Sequence, residues 1–98
     1  MRISFEKMQN LLREADIEGL IGAGAPNDEY DSEAQIMVQA LSELSEKEMT
    51  IEGVLIIVAE IWRQSFDLDN ADICLRQSAM NSLVQKIVQD GTASYTDV

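Results

Sequence analysis

Residues 51–65 read IEGVLIIVAEIWRQS, and whether that run is a strand or a helix decides the fold. Its β-branched residues suit a strand by composition. Its length and its flanks favour a helix, because strands usually end within about ten residues. Thr50 is placed to cap the amide three residues on and leaves Gly53 in the first turn. Ser45 and Glu48 also have capping-box spacing and offer an earlier start. Val54, Leu55, Ile56, Ile57, Val58, Ala59, Ile61 and Trp62 leave little polar face, so a central helix, apolar nearly all round, is expected.

Working outward from that helix, Ser42 to Lys47 form a polar connection. Before it, Tyr30, Ala34, Met37, Leu41 and Leu44 recur at helical spacing, flanked by Ile36 and Val38, which predicts a helix from Asp28 to Leu44 packed on two sides. Ser4 can cap a first helix whose Phe5, Met8, Leu12 and Ala15 share one face and which ends near Ala15. Asp16 to Ile21 can add a short turn before Gly22, Gly24 and Pro26 break the chain. Downstream, Asp67 or Asp69 caps a last helix that turns Ile73, Met80, Leu83, Val84, Ile87 and Val88 to the core until Gly91 ends it. The expected fold is all-α: a compact bundle of about four helices with a Gly-Ala-Pro loop between the first two. Residues 1–91 form one helical domain and 92–98 a flexible tail.

The chain has 98 residues, 46% of them hydrophobic, enough for one core and too few for two domains. Eighteen acids against seven bases and no histidine give a formal charge of −11. Such a field repels nucleic acid and anionic membrane and favours a cationic partner. The longest apolar run, Val54 to Ala59, is far too short to span a bilayer, and the N-terminus turns polar too early for a signal peptide. With Cys74 as the one cysteine, no internal disulfide forms, and a reducing, cytoplasmic setting follows.

Catalysis finds no footing. Cys74 reads as a small core residue, and no histidine is present to activate it or a serine. Gly22 to Gly24 lack the lysine and preceding strand of a phosphate loop. Asp67, Asp69 and Asp72 are spaced like a calcium loop, but Asp72 stands where that loop needs glycine and Ser78 where it needs glutamate. No enzyme activity, metal or cofactor is expected.

The most distinctive segment is residues 23–33, AGAPNDEYDSE. With Gly19-Leu20 before it, Gly24-Ala25-Pro26, Asp28-Glu29-Tyr30-Asp31 and Glu33 within it, and Ser65-Phe66 beyond, residues 10–66 resemble small bacterial helical proteins of the YugE-like type, grouped as a domain of unknown function. The resemblance implies an all-helical fold and no established activity. Asp28, Glu29, Asp31 and Glu33 form a candidate partner-binding patch with Tyr30 as an aromatic anchor. Acids at that place also stabilise a helix N-terminus, and Tyr30 on the apolar stripe also suits a half-buried ring with its hydroxyl at the surface. Residues 28–60 hold nine acids and one base, Lys47. The expected function is that of an immunity protein occluding a basic nuclease toxin. The alternative is a non-catalytic adaptor or subunit of a cytosolic assembly.

Overall fold

Local capping sets the helix starts. Ser4 Oγ accepts the Lys7 amide at 3.0 Å and opens α1, Phe5–Ala15. Thr50 Oγ1 accepts the Gly53 amide at 3.0 Å and opens α3, Ile51–Phe66. Asp69 and Asp72 cap each other reciprocally at the start of α4, Asn70–Leu75. Between these, α2 runs Asp31–Ser42, and α5 runs Gln77–Thr96. The Ser45 and Glu48 pair forms too: the Ser45 amide donates to Glu48 Oε1 at 3.0 Å, but it folds a 3-10 turn, Glu46–Glu48, and not the start of α3. In this computed structural model residues 3–26 and 28–96 are described, Glu46 and 91–96 by their backbone alone.

The four long helices close into a ring, α1 against α2, α2 against α3, α3 against α5 and α5 against α1, with α4 lying on α5. All described elements are helical, so the all-α bundle stands. Met8, Leu12, Ala34, Met37, Leu41, Val54, Val58, Trp62, Met80, Leu83, Val84 and Ile87 fill the centre. No helix among the described residues is long and apolar enough to cross a membrane.

Several expectations change. The chain at 28–30 is a turn, so α2 starts at Asp31 and not at Asp28. The last helix is broken at Arg76 into α4 and α5, and α5 passes through Gly91 to Thr96. A glycine costs only about 1 kcal/mol inside a helix, and it ends one only where the backbone turns left-handed behind it. Phe5 and Ile36 are exposed, and Ile56 is 71% exposed, so α3 is covered on two sides and open on a third. Cys74 also lies outside, because α4 is a short helix carried on the surface with no buried residue.

Gly53 is required by a close approach. A Cβ placed there would lie 2.7 Å from the Glu48 carbonyl oxygen, a backbone atom that cannot swing away. Gly53→Ala is therefore expected to destabilise the domain by ~1–3 kcal/mol in chemical denaturation, although alanine is the better helix former. An unchanged or raised stability would mean the 3-10 turn shifts at little cost.

Candidate functional site

The distinctive segment first serves the long connection between α1 and α2. Asp16 ends α1 in the left-handed region, φ 39°, which aspartate tolerates better than most residues. Its carboxylate accepts the Ile21 amide at 3.1 Å, the Gly22 amide at 2.9 Å and the Tyr30 hydroxyl at 2.6 Å. Gly24, at φ 105°, lets the chain turn back where a side chain would be strained. These bonds hold the Asp16 carboxyl below its ordinary value, the Tyr30 hydroxyl contributing most and the Gly22 amide next. The Tyr30 hydroxyl is pushed up to about 12, by burial first and by its bond to Asp16 second. Because that value is raised, the neutral phenol's contribution is complete below its ordinary value of 10 and is lost as pH rises through about 12.

Tyr30 is the hub of an aromatic cluster. Its ring is 1% exposed and lies 5.7 Å from Trp62 and 6.4 Å from Phe66, while Trp62 and Phe66 are 4.8 Å apart. A second carboxylate of the connection completes the tie. Glu18 accepts from Trp62 Nε1 at 2.8 Å and from both Arg76 Nε and Arg76 Nη2, the latter at 2.9 Å. Arg76 Nη1 also donates to the Asp72 carbonyl at 2.8 Å. The connection is thereby fastened to α3 and to the α4–α5 junction. Gly19, Gly24 and Tyr30 all lie in this connection, and Phe66 completes the ring cluster.

The five residues of the candidate patch are separated by this arrangement. Asp28 and Glu29 are exposed and form no salt bridge among the described residues. Tyr30 is corrected from surface anchor, or half-buried ring, to a core residue whose hydroxyl is spent on Asp16; no partner can stack on it without opening the bundle. Asp31 faces α1, with Arg13 Nη2 at 3.9 Å. Glu33 is corrected from an accessible acid to a buried one, 9% exposed, with Oε2 lacking a hydrogen-bond partner. Since α2 begins at Asp31, the dipole benefit falls on Asp31 and Glu33 and not on the two acids ahead of the helix.

Charge is shown more widely than the cluster suggested. Four of the seven bases, Arg13, Arg63, Arg76 and Lys86, pair with the chain's own acids. Glu6, Glu43, Glu52 and Asp67 join Asp28 and Glu29 as exposed carboxylates without a salt bridge among the described residues. No group of three or more histidine, cysteine or acidic side chains among the described residues could hold a metal ion. Sequence reasoning missed Asp16, Glu18 and Arg76, whose side-chain partners Tyr30, Trp62 and Glu18 lie 14, 44 and 58 residues away, too far for a local pattern to mark them.

An open cleft of about 580 Å³ lies between α1 and α2, lined by Phe5, Gln35, Val38, Gln39 and Ser42. No family model matches the chain, and no curated protein or solved structure matches it significantly.

Proposed function

We propose that this chain is a non-catalytic, acidic protein-binding domain of the bacterial cytoplasm, related to the YugE-like proteins, that neutralises a basic nuclease toxin by covering its nucleic-acid-binding or active site. The observation that carries the reading is the use of the bases: four of seven are engaged by the chain's own acids, while Glu6, Asp28, Glu29, Glu43, Glu52 and Asp67 stay exposed without a salt bridge among the described residues. A nuclease must be basic to grip phosphate, and carboxylates offered in place of phosphates gain steering and register. Asp28 and Glu29 are the members of the acidic segment that meet such a partner directly. The exposure of Ile56 and of Leu75, 71% and 81%, favours a second reading, a subunit that docks in a larger assembly through apolar contacts.

Co-expression with the product of the adjacent gene, scored for growth and co-purification, tests the first reading. Rescue with a stoichiometric complex is expected. The association rate should fall ~10-fold or more as salt rises from low to several hundred millimolar, with dissociation little changed. Asp28→Asn with Glu29→Gln should slow association several-fold without altering the fold, as rim charges do. A toxic neighbour that this chain neither binds nor restrains would remove the neutraliser reading. Full protection by the double variant would remove only these two residues from the interface.

A further inference from the structure

Resting on the reading of this chain as a binder of basic proteins, we infer that the contact surface is centred on the α1–α2 cleft and receives a basic amphipathic helix of about three turns. In this cleft apolar groups and exposed hydrogen-bonding groups converge in one concavity. Phe5, 41% exposed, and Val38 supply an apolar floor, while the exposed amides of Gln35 and Gln39 supply donors and acceptors. Its length follows from the helices. Arg13 meets Asp31 at one end and Phe5 lies by Ser42 at the other, so α1 and α2 are antiparallel, and the cleft lies beside the last two turns of α2, Gln35 to Ser42. A helix laid along all twelve residues of α2, about 18 Å, makes three turns: about two of them lie over the cleft and the remainder reaches toward the acids ahead of Asp31.

The ends of the trough determine the occupant's charge. Exposed Asp28 and Glu29 stand just ahead of α2, Glu43 follows Ser42 directly, and Glu6 follows Phe5. Lys7 offsets one of these acids at the Phe5 end, and Asp31 is occupied by Arg13. No charged side chain lines the middle. Acid, neutral apolar and acid in sequence along α2 and past its two ends complement a helix with lysine or arginine in its first and last turns and aliphatic side chains between. A second copy of this chain, also at −11, is opposed by the same charges.

The test uses the whole protein and two fluorescein-labelled helical peptides of about 14 residues, both with lysines in the end turns, one with leucines along a central face and the other with glutamines there. At low salt the leucine peptide should bind at least ~10-fold more tightly than the glutamine peptide. Gln39→Trp fills the cleft without changing charge, and Gln35→Arg puts a cation into it. Both replace exposed residues, and both should reduce the leucine peptide to the level of the other while leaving the glutamine peptide's affinity within twofold or lower. Equal binding of the two peptides, or indifference of the leucine peptide to both variants, overturns the cleft and leaves the acidic-surface reading standing. Failure of both peptides to bind at low salt overturns the cleft as a site for a basic helix, while the neutraliser reading stands or falls on the co-expression.

Discussion

Trp62→Ala is expected to cost ~3–5 kcal/mol of folding free energy, the range for removing a large aromatic from a packed core. A domain of this size is held by ~5–15 kcal/mol in total, so the variant should be partly unfolded at 37 °C. Three losses combine at this position. The side chain is fully buried, and its removal opens a cavity beside Tyr30 and Phe66, under the α1–α2 connection that Glu18 belongs to. Tyr30 and Phe66 each lose a ring partner at 5.7 and 4.8 Å. Glu18 loses the indole donor at 2.8 Å. Trp62→Phe keeps most of the packing and removes the donor, so it should fall between the two. Urea denaturation followed by far-ultraviolet circular dichroism measures the change, since the substitution removes the chain's one tryptophan. In the parent, native emission should be blue-shifted and poorly quenched. A loss below about 1 kcal/mol for the alanine variant would mean that this ring does not organise the core.

What the sequence disclosed of this fold follows the range of the interactions. The caps at Ser4, Thr50 and Asp69 were legible because each is a contact over three residues. The stripes Met8–Leu12, Ala34–Met37–Leu41 and Met80–Leu83–Val84–Ile87 were legible because burial on a helix repeats with the turn. Phe5, Ile36, Ile56 and Cys74 are apolar residues whose exposure depends on how many neighbours a helix acquires, which its own periodicity does not contain. The break at Arg76 was equally hidden: it coincides with the residue whose guanidinium bonds Glu18, 58 residues earlier in the chain. The candidate patch was legible as a run of acids but not as a surface. Tyr30 and Glu33 fall on the inner side of α2, while Asp28 and Glu29 stay outside because the helix begins after them. Asp16, at the end of α1, turns out to be what the tyrosine was for.

Acidification should unfasten the connection between α1 and α2 at Glu18. The Glu18 carboxyl is held below its ordinary value, chiefly by hydrogen bonds from Arg76 against an opposing cost of burial, and further by the Trp62 indole. Its side chain is 11% exposed and that of Arg76 24%, so water screens the pair only in part. A lowered folded-state value means that the pair's contribution is complete above the unfolded value, near 4.5, and is lost as pH falls through the folded one. Glu18→Gln should therefore lower stability by ~2–4 kcal/mol at pH 7, because it leaves a guanidinium and an indole without their charged acceptor. The deficit should shrink as pH is lowered below 4.5, since the parent then protonates the same group. Arg76→Gln should reproduce the loss at pH 7, and the double variant should lose less than the sum, as two partners in one interaction do. Urea titrations of the four proteins between pH 2.5 and 7 measure this, with Trp62 emission reporting the fastening locally. A deficit that stays constant down to pH 2.5 would mean that Glu18 acts through its shape alone, and strict additivity of the two single variants would mean that the ion pair contributes nothing.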